Sequence, residues 1–453
     1  MTAVAPAGQA APRNAIPGRA AGSRPGTRKG GPLRRIADRG TPSALQAAMA
    51  LLVILSLAWG GLGAWAVSEH ASSANSLAHA DYRLSRDAQQ LYLAIADADV
   101  TMTTAFLAGT PPTLAQRQQF DADLKAAAGY LADLTGSSDN PQLSAAIEAI
   151  DNGMQLYGQH IATAETEFAQ GITPAGDSFM EVASEDAHLT LLPSANKIYA
   201  LENDAVTASS SGATSLPTII LALGVGLLAT GIALLWSQRW LARRTRRVFN
   251  LGLLAATVAL AISGVWLAAT FGIARSDLGT AIGQGAHPAE VLAQASIDVQ
   301  QIRSDSVLNV IARSGSTSLA QDSAAKATAV GPGTGSLLDA ALADGNAQAA
   351  PYIRAASGAA PAWYTANKQG YALGAAFQFS GEEQAVVGPE KRGYAQVLGD
   401  IDNGIRAAQD TFQTEADAGA AAFGPLEAVV IVAALLMASA SAWGLSRRLG
   451  EYR

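Results

Sequence analysis

The chain has 453 residues, 49% of them hydrophobic and only 15% charged, against about 25% charged in an ordinary soluble domain. It has no cysteine, which excludes a disulfide framework and any cysteine-ligated zinc or iron–sulfur site. The five histidines (His70, His79, His160, His188, His287) lack metal-ligand spacing, and the net charge of −7 averages over strongly segregated segments.

Residues 1–43 carry eight basic side chains and one acid, Asp38, among many Pro, Gly and Ala, and read as a disordered basic tail lying along anionic lipid. An uncharged apolar run follows at 44–67, and further runs place spans at 216–236, 248–274 and 425–445. Each is long enough to cross a bilayer, which takes about 20 apolar residues, with a range of about 17–25. Ala64-Trp65-Ala66 resembles a signal-peptide cleavage site. The run before it is longer than a signal core of about 7–15 residues, so an uncleaved anchor is expected. The linker 237–247 holds Arg239, Arg243, Arg244, Arg246 and Arg247 with no acid, and 446–453 is also basic. These three segments hold 16 basic and 2 acidic residues, whereas the rest of the chain holds 14 basic and 35 acidic ones. The positive-inside rule therefore places both termini and the arginine linker in the cytoplasm, and 68–215 and 275–424 outside. The five arginines are read as topology signals that touch lipid head groups or a cytoplasmic partner.

The exterior segments read as all-α. Leu143, Ile147, Ile150, Met154, Tyr157, Ile161, Ala164 and Phe168 step by four and three in alternation, a heptad seam. Phe120, Leu124, Ala127, Leu131 and Leu134 repeat it. So do Leu84, Ala88, Leu91, Ile95, Ala98, Met102 and Ala105, and, in the second segment, Ile401, Ile405, Ala408 and Phe412. Turn residues at 109–112, 135–141 and 171–176 separate the helices, and a fourth helix is expected from about Ser194. Pro351, Gly358, Pro361 and Gly388-Pro389 punctuate the second segment and leave its third helix the worst defined. The fold class is thus four transmembrane helices with two extracytoplasmic up-down four-helix bundles. The halves also correspond. Thr113-Leu-Ala-Gln116 recurs as Ser318-Leu-Ala-Gln321, and Ala88, Leu91 and Ile95 fall on Leu292, Ala295 and Val299 at an offset of 204. A tandem duplication is expected.

Enzyme signatures are missing: there is no P-loop, Gly-x-Ser-x-Gly elbow or His-Glu-x-x-His, so no catalytic residue, metal or cofactor is assigned. The carboxylate pairs Asp97/Asp99, Glu185/Asp186 and Glu382/Glu383 read as solvated surface charge. Arg83, Arg86 and Arg303 on the first exterior helices are candidate contacts for an acidic ligand or partner, with surface solvation as the competing role. The membrane address argues against nucleic acid. The partners to consider are the bilayer, exterior and cytoplasmic proteins, and further copies of the chain.

Two span–bundle–span units resemble the four-helix-bundle sensor domains of bacterial chemoreceptors and sensor kinases, on architecture and heptad seams alone. A narrower resemblance rests on Glu165-Thr-Glu-Phe-Ala-Gln-Gly171, Phe179-Met-Glu-Val-Ala183 and Leu191-Leu-Pro193, with the basic tail and the four spans. These resemble the actinobacterial membrane protein encoded beside protein kinase G and a glutamine-binding-type lipoprotein. That resemblance implies a relay of amino-acid availability from an extracytoplasmic solute-binding lipoprotein to a cytoplasmic Ser/Thr kinase. A scaffold of the cell envelope and an accessory subunit of a transporter are the alternatives.

Overall fold

The computed structural model describes residues 41–107, 111–136, 140–214, 218–245, 250–311, 313 and 315–449. Among them every regular element is helical, with no strand. In chain order these are α1 (Thr41–Ser76), α2 (Tyr82–Leu107), α3 (Leu114–Thr135), α4 (Pro141–Ala169), α5 (Thr173–Asp186), α6 (Leu192–Thr214) and α7 (Thr218–Thr245). The second half has α8 (Leu251–Thr280), α9 (His287–Ile311), α10 (Thr317–Val330), α11 (Leu337–Ala343), α12 (Ala350–Ala375), α13 (Phe379–Ala385), α14 (Lys391–Phe423) and α15 (Leu426–Leu449). The basic tail 1–40, Arg246 and Arg247 lie outside the described residues.

Local chemistry sets the helix starts. Thr113 and Gln116 form a reciprocal capping box on α3, Asn140 caps α4 ahead of Pro141, and Ser316 and Ser336 cap α10 and α11. The seams are core. Leu143, Ile150, Tyr157, Ile161, Ala164 and Phe168 of α4 are buried, as are Ala88, Leu91, Ile95, Ala98, Met102 and Ala105 of α2. Ile401, Ile405, Ala408 and Phe412 of α14 are buried likewise.

Some expected breaks are absent, and proline explains them. The fourth helix of the first half begins at Thr173 and continues through a π-helical turn at Ala187–Leu191 into α6, so Leu192-Pro193 does not start it. Further π turns occupy Leu77–Asp81, Ala281–Ala286 and Val386–Glu390. Three of the four sit beside or around a proline: Pro193, Pro288 and Pro389. A proline lacks the N–H for the i−4 bond and crowds the preceding turn; a widened turn absorbs both problems without ending the helix. The third helix of the second half, α12, runs unbroken through Gly358 and Pro361, with Ile353, Ala356, Ala360 and Trp363 holding it to the core. Pro351 lies in its first turn, a position that costs no hydrogen bond.

The two halves follow the same order: apolar helix, π turn, long helix, intermediate helices (α3 and α4 in the first half; α10, α11 and α12 in the second), short helix, π turn, descending helix, apolar helix. In each, the helices between the two apolar ones form a bundle: α2, α3, α4 and α5–α6 in the first, and α9, α10–α11, α12 and α13–α14 in the second. The bundles meet where α2 packs on α9, and Ala293 and Ile297 of α9 belong to the apolar core of the first bundle. Below, α1 packs on α15 and α7, and α8 packs on the same two helices. Three described helices, Ser43–Leu107, Leu251–Ile311 and Phe379–Arg447, are long and apolar enough to cross a membrane. The expected second span falls on α7; Leu216 and Pro217 lie outside the described residues, and Leu221, Val225, Leu228 and Ile232 are exposed.

Backbones approach closely at Gly285, where an added Cβ would lie 2.6 Å from Phe412 Cα and 2.7 Å from its backbone nitrogen. Gly158 on α4 faces open space. Gly285→Val should therefore lower stability by about 1–3 kcal/mol, and Gly158→Ala should raise it by about 0.4–1 kcal/mol. Denaturation of the purified protein followed by circular dichroism measures both; equal effects would contradict the helix contact.

Candidate functional site

Helices α2 and α9 face each other with polar side chains in places where heptad packing would accept apolar ones. Asp99 of α2 is 1% exposed. Its carboxylate accepts hydrogen bonds from Ser184 Oγ (3.2 Å), from Ser304 Oγ of the opposite half (3.1 Å) and, at 3.5 Å, from Tyr157 Oη. His188, in the π turn between α5 and α6, places Nε2 2.7 Å from Ser304 Oγ and 3.4 Å from Asp99 Oδ2. Burial pulls the His188 imidazole down, but the hydrogen bond and charge of Asp99, with Asp305, outweigh it and hold the group above its usual value.

One step along α9, Arg303 is also 1% exposed. Its Nη1 donates to Glu390 and to the Val386 carbonyl oxygen (3.0 Å), both in the second π turn of that half. Nη2 reaches Thr104 Oγ1 of the first half at 3.5 Å. Trp363 Nε1 donates to the other Glu390 oxygen at 2.9 Å, and the guanidinium lies over the Tyr394 ring, 5.8 Å from its centroid. The two clusters share a plan with opposite charges. Asp99 and Arg303 correspond at the offset of 204. Each takes a partner from a π turn (His188, Glu390) and meets an aromatic residue of its bundle's third helix (Tyr157, Trp363) directly or through that partner. Gln301 Nε2 adds a further link across the halves, donating to Tyr92 Oη at 3.1 Å.

A cavity of about 350 Å³ opens beside the second cluster, between α2 and α3 of the first half and α9 and α14 of the second. Thr101, Thr104, Gln116, Arg303, Lys391 and Tyr394 are among its walls. Close to its wall residue Tyr394 lie Asp97 and Asp402, and Asp123 is near Asp97. Burial, reinforced by the charges of Asp123 and Asp402, pushes Asp97 up to about 7, and burial pushes Asp402 up to about 6 against the pull of Arg406.

The candidate arginines separate. Arg83 and Arg86 are exposed and both reach Asp87, at 3.3 and 3.4 Å, well below the cavity on the same helix. Arg303 is not solvated, contrary to the competing reading; it is locked in a buried ion pair. Arg239 and Arg243 are exposed on α7, and nothing is described for the side chain of Arg244. The carboxylate pairs are not uniformly surface charge either. Asp99 and Glu382 are inside, the latter receiving Asn309 Nδ2 at 2.5 Å, while Glu185 and Glu383 are exposed. Among the described residues no group of His, Asp and Glu is arranged to hold a metal ion.

Removing one member of a buried ion pair strands the other, at a cost of about 3–5 kcal/mol. Glu390→Leu should be destabilising by that order, and Arg303→Met combined with Glu390→Leu should recover most of it; equal losses in single and double variants would show that the pair is not coupled. The titrating groups give a second expectation. A carboxyl whose folded pKa is raised binds more protons folded than unfolded, so its contribution to stability falls as pH rises from its unfolded value through its folded one. Asp97 loses stability in this way between about 4 and about 7. His188, whose folded value is raised, likewise loses its contribution as pH climbs through that value. The melting temperature should thus be higher at about pH 5 than at about pH 8, and Asp97→Asn should flatten the slope. A melting temperature that climbs with pH would contradict the burial of these groups.

Residues 73–211, in the first half of the chain, match the family model of the actinobacterial sensor domain. No curated protein and no solved structure matches the chain. The match supports a sensing role for residues 73–211.

Proposed function

We propose that the chain is a non-enzymatic transmembrane relay, built by tandem duplication, that carries an extracytoplasmic cue to a cytoplasmic partner. The observation that carries this reading is continuity. The helix Ser43–Leu107 runs from an apolar segment through a π turn to the α2–α9 contact, and Leu251–Ile311 does the same on the other side. A displacement at the contact is therefore a displacement of the membrane segments, the kind of small helix shift that transmits signals. Four spans with both termini in the cytoplasm fit the charge segregation and place Arg239, Arg243, Arg244, Arg246 and Arg247 against lipid head groups or the output partner. The first exterior segment, with 5 basic and 19 acidic residues, suits a partner with a basic surface. A solute-binding lipoprotein for amino acids is the proposed source of the cue, and a Ser/Thr kinase its destination.

The absence of cysteine makes the test clean. Gln155→Cys should react with a membrane-impermeant maleimide on intact cells, and Arg239→Cys only after permeabilisation; the reverse pattern removes the proposed orientation. Capture of the full-length chain from its own membranes should bring down an extracytoplasmic lipoprotein and a cytoplasmic kinase. Recovery of neither leaves the relay without ends.

A further inference from the structure

We propose that the cavity between the two exterior halves is a binding site for a small organic monocarboxylate. Its volume of about 350 Å³ falls in the range of small-molecule sites, about 300–1,000 Å³. Both halves build it: Thr101, Thr104 and Gln116 come from the first, and Arg303, Lys391 and Tyr394 from the second. Among the described residues no acidic side chain lines it, although the exterior segments are strongly acidic overall.

Two of the wall residues carry buried donors without acceptors. Arg303 Nε and the Tyr394 hydroxyl have no hydrogen-bond partner among the described residues, in side chains that are 1% and 8% exposed. A buried donor left unpaired costs about 1–3 kcal/mol in general, so such groups mark a place where an acceptor belongs. Lys391 is exposed at the rim and makes no ion pair among the described residues. Glu390 already neutralises Arg303, so the surplus on this wall is one positive charge. That balance fits a monoanion and leaves a phosphate dianion uncompensated. A carboxylate presents two acceptor oxygens in one plane, matching a guanidinium edge and a neighbouring hydroxyl or ammonium. Val100, Ala115 and Ala395 supply apolar wall for a hydrocarbon tail.

The position gives occupancy a consequence. Arg303 bridges the halves, holding Glu390 on one side and Thr104 on the other. An anion that draws on its guanidinium changes the tension in that bridge. Val100 lies 33 residues beyond Val67 along one helix, so the pocket stands about 50 Å from the apolar segment at 1.5 Å per residue. The role of the pocket in sensing rests on the relay reading; its occupancy does not.

The test is calorimetric titration of the full chain in lipid nanodiscs with propionate, and in parallel with inorganic phosphate, at a mildly alkaline pH where phosphate is mostly the dianion. Propionate should bind at one site per chain and phosphate should not. Lys391→Gln and Tyr394→Phe should each weaken propionate binding about tenfold or more. Without ligand, Tyr394→Phe should melt no lower than the parent protein, because the hydroxyl it removes has no partner. The proposal is overturned if propionate does not bind, if phosphate binds as tightly, or if Lys391→Gln, an exposed change that leaves the fold intact, binds propionate like the parent. Propionate binding with no lipoprotein or kinase captured would sink the relay and keep the site; the opposite result would sink the site and keep the relay.

Discussion

Two ionisable side chains, Asp99 and Arg303, lie almost wholly out of water on facing helices, and the arrangement around them follows from the need to pair both. A buried charge without compensation is among the largest single penalties a fold can carry. An apolar seam between α2 and α9 could slide by a heptad with modest loss. A seam in which Asp99 accepts from Ser304, and Arg303 reaches Thr104, cannot. These contacts fix the register of one half on the other, the best-attested use of buried polar groups in helical assemblies.

The π turns are the means by which partners arrive. His188 and Glu390 both lie in one, and each turn shifts the following helix relative to the preceding one. The other two π turns sit where α1 gives way to α2 and α8 to α9. There an apolar core gathers Val67, Tyr82, Val206, Leu278, Phe412 and Phe423, with Tyr82 stacked on Phe412 at 3.7 Å between centroids. Dense packing of this kind transmits displacement instead of absorbing it. Polar register above and apolar packing below thus bracket the same continuous helices.

Much of this was legible in the sequence, and what was not has a physical reason. The seam from Leu143 to Phe168 announces its buried face because apolar side chains recur at the helical period. The burial of Asp99, Arg303 and Glu382 has no such signal. Each looks like a surface charge until a residue dozens of positions away, Ser184, Glu390 or Asn309, is brought against it. Pro193 and Pro361 mislead for a related reason. Proline marks a break when only local hydrogen bonding is weighed, but tertiary packing on both sides of it holds the helix together. The arginines divide on the same ground: Arg83 and Arg86 find a carboxylate one turn or less away, while Arg303 needed the second π turn.

The opposite signs at corresponding positions bear on why both halves reside in one chain. If two copies of the first half met as α2 and α9 do, Val100 would stand where Ser304 does and Asp99 would lose its hydroxyl donor; in two copies of the second half Leu308 would stand where Thr104 does, and Arg303 would lose its acceptor. A buried charge deprived of a hydrogen-bond partner is costly, so each half is a poor partner for itself. The pairing of unlike halves avoids both losses and gives each charge a hydroxyl from the other side, Ser304 for Asp99 and Thr104 for Arg303. Covalent linkage then keeps the unlike halves at high effective concentration. It also lets the two faces differ, which is how a cavity can be walled by α2 and α3 of one half and α9 and α14 of the other without a second, equivalent cavity being required of the fold.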